Sequence, residues 1–440
     1  MVLTLYRCRS SVARALLCAA LTLLIGTLAL AAENFPRPEF RGGQTFPEQI
    51  NPWPRAPWLS VLDVAVLVLC LGLAAYYSLK LRSRSHLLTL AIFSLAYFGF
   101  FRHGCVCPIG AIQNVAHALG GNGYRLPVIV GVFFAAPLLV ALFFGRAFCA
   151  GVCPLGAAQE VVLLRPVRVP AGLDAALSQI PFIFGGLAVM YSVIGSIFLI
   201  CRYDPFIAFF RLGGGTLMLL IGAGLLVLGI FVGRPYCRYL CPLSALLRMT
   251  APLAQWRPRL TEHDCANCHL CATACPYGAI KPPVVPDRRF DRRSARRALG
   301  LQLLLLPIFI GVGGGLLRLS SPLLAQLDPR VRLAEEVYRS EQGQVPEPTD
   351  TLEAFGNLEQ PNAWAYRRGA AVQRWFDVGA WVLGGWIGLV FGLKLVGLSL
   401  RRHRETYEID VASCVHCGRC YNVCPLDRAE GQGSRVEGSG

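Results

Sequence analysis

Apolar residues along this chain gather in runs too long and too continuous for the faces of a soluble fold. The runs lie at about 59–80, 87–101, 126–144, 181–200, 214–232, 298–317 and 376–400. Each is near the length needed to cross a hydrocarbon core of about 30 Å, the second being short. Ahead of them Arg7, Arg9 and Arg14 precede an apolar stretch from Ala15 to Leu30 that ends in Ala29-Leu30-Ala31. That pattern predicts a secretory signal cut after Ala31, with an uncleaved anchor helix as the alternative. A Pro-rich segment, 32–58, follows on the outside. Between the last two runs, residues 318–375 are polar and helical in character, and "DPRVRLAEEVYRSE" reads as an amphipathic surface helix. The tail, 427–440, is rich in Gly, Ser and charge and is expected to be disordered.

Composition agrees with this pattern. The chain of 440 residues is 54% hydrophobic and 15% charged, against roughly a quarter charged in soluble domains. The expected fold is an all-α polytopic membrane protein with about seven transmembrane helices after a signal peptide. A formal net charge of +16 would suit a nucleic-acid partner in a soluble protein. Here it marks loops by the positive-inside rule, and no nucleic-acid partner is expected. Threading the runs from an outside start makes 81–86, 146–180, 233–297 and the tail from 401 cytoplasmic. Those segments hold Lys80 at their edge, Arg82, Arg84, Arg165, Arg168, the Arg288-Arg289 to Arg296-Arg297 stretch and Arg401-Arg402-His403-Arg404. The expected location is the bacterial inner membrane.

The eighteen cysteines are clustered and followed by prolines, unlike a secreted disulfide framework. "CANCHLCATACP", 265–276, contains a C-x-x-C-H for covalent c-type haem and also a C-x2-C-x2-C-x3-C-P ferredoxin run. Haem is attached outside the cytoplasm, and the threading puts this stretch inside, so the ferredoxin reading holds. "CVHCGRCYNVCP", from Cys414, repeats the spacing on the same side. In two-cluster ferredoxins the fourth cysteine of each run serves the other cluster. Cys265, Cys268, Cys271 and Cys424 are therefore expected around one [4Fe–4S] cluster, and Cys414, Cys417, Cys420 and Cys275 around a second. The ferredoxin-like module is split by two spans, with halves at 251–297 and 401–426 on either side of 298–400.

The core, 59–250, is duplicated. "GRAFCAGVCPLGA" carries Cys149 and Cys153, and "GRPYCRYLCPLSA" carries Cys237 and Cys241. Each follows a span preceded by an outer motif, in copies covering roughly 87–156 and 181–244. A parallel repeat implies a pseudo-twofold axis along the membrane normal, which would bring the two inner pairs face to face. Four thiolates there suit a third iron–sulfur site or another thiophilic metal; the alternative is that Cys-Pro shapes helix ends and small cysteines pack there. The outer motifs supply Cys105, Cys107 and Cys201, with His103 and Asp204 nearby, as a cofactor site, a redox-active disulfide or a structural cluster. Cys8, Cys18 and Cys70 are expected to be inert. None of the seven histidines falls mid-span, which argues against a b-type cytochrome. No G-x-G-x-x-G opens a βαβ unit, so a nicotinamide dehydrogenase domain is not supported.

With Cys-Pro motifs at membrane edges and two ferredoxin runs flanking a pair of spans, the chain resembles the NosR/NirI polyferredoxins over about residues 59 to 426. NapH-type quinol dehydrogenase subunits and the CcoG/RdxA group share parts of the pattern. The resemblance implies electron transfer across the inner membrane in anaerobic or denitrification-type respiration. Full-length NosR-like members also carry a periplasmic domain with covalent FMN on the Thr of an S/T-G-A-T motif. No such motif occurs here and 32–58 is too short for that domain; the first motif is also C-x-C-P. The expected partners are a cytoplasmic electron donor or acceptor, a separate periplasmic flavoprotein or cytochrome and, within the membrane, a quinone. The alternative function is a redox-sensing or assembly factor for a respiratory metalloenzyme.

Overall fold

The computed structural model describes residues 57–425, except 105–106, 122, 212–214, 261–264, 266, 285–291, 345–348, 359, 400–403 and 405. The expected signal, nearly all of the Pro-rich segment, the tail and Cys105 lie outside the described residues. Among the described residues the chain is mostly helical, with one short two-stranded sheet.

Among the described residues five helices are long and apolar enough to cross a membrane: Trp58–Leu79, Arg84–Phe101, Ala171–Val193, Leu299–Leu319 and Asn362–Gly397. A sixth is counted if Pro205–Arg211 and Thr216–Gly229, which meet at 102°, form one broken span. Two of the seven expected spans are thus short. Val128–Phe144 has 17 residues and Thr216–Gly229 has 14, against about 20 for a full crossing. Val128–Phe144 stops at Gly145, whose φ is positive, and Thr216–Gly229 stops four residues before Gly233; in both copies a glycine-arginine pair then leads into a five-residue helix, Ala147–Gly151 or Pro235–Tyr239.

The two copies share a plan. In each, a long helix leads to a Pro-started short helix (Pro108–Leu119; Pro205–Arg211), then a span, the five-residue helix and a second Pro-started helix (Pro154–Val161; Pro242–Thr250). Proline suits the first helical position because its missing N–H needs no partner there and its φ is already helical. Cys107, Cys153 and Cys241 occupy the residue before such a proline, with extended backbone at each. The largest side chains buried at the centre of the fold are Arg146 and Arg234.

A second unit packs alongside. Helices Arg292–Leu319 and Asn362–Ser399 cross so closely that a Cβ on Gly384 would strike the Gly313 carbonyl, and one on Gly388 the Phe309 carbonyl. The spacing Gly384-x3-Gly388-x3-Gly392 is the small-residue pattern that lets membrane helices meet backbone to backbone. The second of these helices starts at Asn362, so residues 362–375, expected to belong to the outer loop, extend it; among them no proline interrupts the helix. The amphipathic helix of that loop forms at Pro329–Glu341, capped by Asp328, whose carboxylate accepts from Arg330 N–H at 2.8 Å.

Gly388→Leu should separate these two helices and lower stability by about 1–3 kcal/mol, the ordinary cost of overpacking. Gly311→Ala, where an added Cβ meets nothing within 4 Å, should leave thermal unfolding in detergent unchanged.

Candidate iron–sulfur centres

The two ferredoxin runs fold alike. Asn267 and His269, either side of Cys268, have φ of 49° and 62°; His416 and Gly418, either side of Cys417, have φ of 56° and 73°. Left-handed residues at these places turn successive N–H groups toward one concave side, a nest suited to anions and iron–sulfur clusters. Glycine takes this conformation freely at 418. At 269 a histidine does, with its Nδ1 against the Tyr407 hydroxyl. Short helices follow at Leu270–Ala274 and Arg419–Val423 and pack on each other. The halves are also joined by β1 (Ile280–Lys281) and β2 (Glu408–Ile409), antiparallel with Ile280 opposite Ile409.

This pairing brings the distant runs together. Cys271 lies within electrostatic reach of Cys265, Cys268 and Cys424, and Cys420 within reach of Cys414, Cys417 and Cys275. The latter four thiols line one void with Tyr277 and Tyr421. The His416 N–H points at Cys414 Sγ, 3.4 Å away. Buried without a partner for either ring nitrogen, the His416 imidazole is held neutral, its pKa pushed down to about 3 by burial and then by Arg146.

The inner cysteines also converge. Cys149, Cys153, Cys237 and Cys241 line one small void with Phe148, Leu243, Ser244 and Leu247; among the described residues no carboxylate or imidazole lines it. Crossed arginines hold the two copies in register. Arg146 of the first copy reaches Ser244 Oγ of the second at 2.8 Å, and Arg234 of the second binds the Cys149 carbonyl of the first. Gln159 accepts from Tyr236 N–H at 2.9 Å and points Nε2 at Cys237 Sγ, 3.3 Å away. The hydrogen bond from Cys153, then Arg234, Gln159 and Arg146, outweighs burial and holds the Cys237 thiol below its ordinary pKa. An all-sulfur donor set flanked by cations is the ligand chemistry of an iron–sulfur cluster. Among the described residues no three His, Cys, Asp or Glu side chains converge as the ligands of a single ion do. At the inner site the Cys153–Cys237 contact closes the space, so a cluster there requires these two thiols to part.

The outer set lies closer to this centre than the sequence implied. Cys107 begins helix Pro108–Leu119 and is near Cys201 and Asp204. Asp204, standing where the inner motif has its second cysteine, caps helix Pro205–Arg211 through Phe206 N–H at 2.9 Å. Its other oxygen accepts from the Tyr236 hydroxyl at 3.2 Å. One tyrosine therefore links the outer motif to the residue before Cys237.

Sequence reasoning overlooked Glu160, seven residues after Cys153. Its carboxylate, 6% exposed, accepts from Arg84 (3.0 Å), Arg234 (3.0 Å), Arg419 (2.9 Å) and the Tyr277 hydroxyl (2.8 Å). Burial works to raise its pKa, but Arg234, Arg419, Tyr277 and Arg84 prevail and hold it at about 2. Tyr277 and Arg419 belong to opposite ferredoxin halves, so a single carboxylate fastens both to the membrane core. The glycine-arginine pair in both copies was the signal available for Arg146 and Arg234; nothing in the sequence marks Glu160.

Comparison with known proteins finds iron–sulfur families over the segments that hold both cysteine systems. A 4Fe-4S binding domain family matches residues 126–170 and 215–261, spanning the two inner pairs. A second 4Fe-4S binding domain family matches 259–281 and 407–427, the two ferredoxin runs. With its apolar helices, the chain is a membrane iron–sulfur protein of the polyferredoxin class. Its relatives include the regulatory protein NosR of Pseudomonas aeruginosa, 31% identical over 48% of this chain and 31% of that protein. Protein NirI of Paracoccus denitrificans is 28% identical over 52% and 36%. The putative electron transport protein YccM of Escherichia coli is 25% identical over 38% and 52%. The chain is a NosR/NirI-like membrane polyferredoxin that spans about a third of the length of NosR and NirI. No solved structure gives a significant match.

Because the folded pKa of Glu160 lies below that of a free glutamate, about 4.3, its ion pairs contribute fully above that value and fade as pH falls toward 2. Glu160→Gln should cost about 3–5 kcal/mol near neutral pH, because three arginines, the fully buried Arg234 among them, lose their shared charge partner. Thermal unfolding compared at successive pH values should show the mutant losing less stability than the wild type on acidification below about pH 5.

Proposed function

We propose that this protein carries electrons across the inner membrane, between a soluble partner on the side of its ferredoxin module and a redox partner on the other side, in denitrification-type respiration. Cys265, Cys268, Cys271 and Cys424 hold one [4Fe–4S] cluster, and Cys414, Cys417, Cys420 and Cys275 a second. Cys149, Cys153, Cys237 and Cys241 hold a third metal–sulfur group. When bound, such clusters supply one-electron carriers whose potentials follow charge, hydrogen bonds and burial. The observation that carries the reading is that two arginines border two thiol sets at once. Arg234 acts on both Cys237 and Cys417; Arg146 donates toward Cys149 Sγ and to the Ala412 carbonyl, two residues before Cys414.

The protein's own groups fix and tune these sites. Arg146 and Arg234 lay positive charge between the second and inner sets, which favours the reduced, more negative state of each. The His416 and Gln159 N–H groups aim at ligand sulfurs. Tyr236 and Asp204 extend the buried polar path from the inner set toward Cys107 and Cys201. The module, with the Arg82, Arg84 and Arg168 loops around it, faces the cytoplasm in this reading. Beyond the outer motif the acceptor is a separate periplasmic flavoprotein or cytochrome, and a quinone is the second acceptor the reading admits.

The test is vectorial. Full-length protein in sealed vesicles with the ferredoxin module outward, reduced by external dithionite, should reduce ferricyanide trapped inside. Cys153→Ser should slow that transfer by roughly an order of magnitude while the paramagnetic signals of the two ferredoxin-type clusters persist. No reduction of trapped acceptor by the wild type would overturn the reading. An unchanged rate in Cys153→Ser would remove the inner set from the path.

A further inference from the structure

Two cavities meet beside the ferredoxin module. One, about 470 Å³, lies between helices Ile180–Val193, Pro242–Thr250 and Asn362–Ser399 and is walled by carbon, with Val189, Leu246 and Val382 among its lining. The other, about 650 Å³, is the more polar of the two and reaches Asp410, Ala412 and Ser413, just ahead of Cys414. Phe182, Met249 and Trp386 line both. They are one groove, apolar along the membrane helices and polar where it meets the module. Each part is of the size that holds a ligand.

The charges of the polar part do not balance. Arg146, Arg234, Arg238, Arg248, Lys281 and Lys394 line it, against Asp174 and Asp410. Glu160 neutralises Arg234, and Asp174 pairs with Arg238 at 2.8 Å. Asp410 is turned to Ala412 N–H and the Ser413 hydroxyl. Among the described residues, Arg146, Arg248, Lys281 and Lys394 make no ion pair with a carboxylate. The Nε atoms of Arg146 and Arg248 are buried with no hydrogen-bond partner. Burial, and then the neighbouring Arg146, bring even the Arg248 guanidinium down to about 10. Unpaired cations this close are costly unless an anion joins them.

We propose that this groove binds a membrane phospholipid with an anionic headgroup, its phosphate between Arg248 and Lys394 and its acyl chains along the apolar part. A zwitterionic lipid would bring its own cation to a site already over-supplied. A free anion would leave the apolar part unfilled, and a neutral quinone would leave the cations unpaired. The lipid bridges the last span, at Lys394, to the second ferredoxin half, at Ser413, so it braces that half on the membrane core. The inference does not depend on the direction of electron transfer, and it gives this groove to lipid rather than to a quinone.

The test uses the full chain in detergent, stripped of anionic lipid, with its melting temperature read against added lipid. Dioleoylphosphatidylglycerol should raise it saturably, while dioleoylphosphatidylcholine, inorganic phosphate and menaquinone should not. Lys394→Gln, at a half-buried side chain without a partner, should fold normally and weaken the phosphatidylglycerol effect about fivefold, the worth of one cation near an anionic lipid. Lys80→Gln, exposed and outside the groove, should not. Equal stabilisation by phosphatidylcholine, full reproduction by phosphate alone, stabilisation by menaquinone, or wild-type affinity in Lys394→Gln would each overturn the proposal.

Discussion

The structure depends on one buried negative charge. Glu160 sits where helix Pro154–Val161 ends, and four segments converge on it: Arg84 from the second span, Arg234 from the second copy of the core, Tyr277 from the first ferredoxin half and Arg419 from the second. A carboxylate so far from water is tolerable only because every contact supplies a charge or a hydrogen bond. The same requirement makes it specific. Removing the carboxylate leaves three arginines without their shared counter-charge, so the core and both ferredoxin halves are held in one relative position. A chain whose cysteine runs are separated by two membrane helices needs such a fastening, since sequence proximity cannot supply it.

Duplication provides the second constraint. Each copy follows a short span with a glycine-arginine pair, and each arginine crosses to the other copy, Arg146 to Ser244 and Arg234 to the Cys149 carbonyl and Glu160. The copies differ where the cross-links need them to. Gly156 in the first stands opposite Ser244 in the second, and a Cβ there would come to 3.1 Å from Arg234 Nη1. The proline-started helices set extended backbone at Cys107, Cys153 and Cys241 and direct their positive ends toward the buried cysteines. Positive charge from helix ends and arginines accumulates where thiolates would otherwise repel one another.

Much of this was legible in the sequence because it rests on spacing. Long apolar runs predict helices whatever their neighbours, and C-x2-C-x2-C-x3-C-P marks its cluster ligands by spacing alone. The rest depends on contacts that spacing does not encode. Five-residue helices such as Ala147–Gly151 are too short to show a period. The runs at 126–144 and 214–232 look like full spans until the turns after them are placed. The arginines of the cytoplasmic-type loops read only as a topological bias, yet Arg84, Arg146, Arg168 and Arg238 each bond the core to itself or to a ferredoxin half, Arg168 at the Ala272 carbonyl and Arg238 at the Pro276 carbonyl. Asp204 reads as a lost cysteine, whereas the fold uses its second oxygen to hold Tyr236.

The central claim is that the crossed membrane core is an iron–sulfur site continuous with the ferredoxin module. The most direct measurement is iron and acid-labile sulfide per polypeptide, on full-length protein purified without oxygen. The account predicts roughly twelve of each, three cubanes' worth. About eight would confine the clusters to the ferredoxin runs and leave Cys149, Cys153, Cys237 and Cys241 as packing. A well-folded preparation without iron would contradict the account altogether.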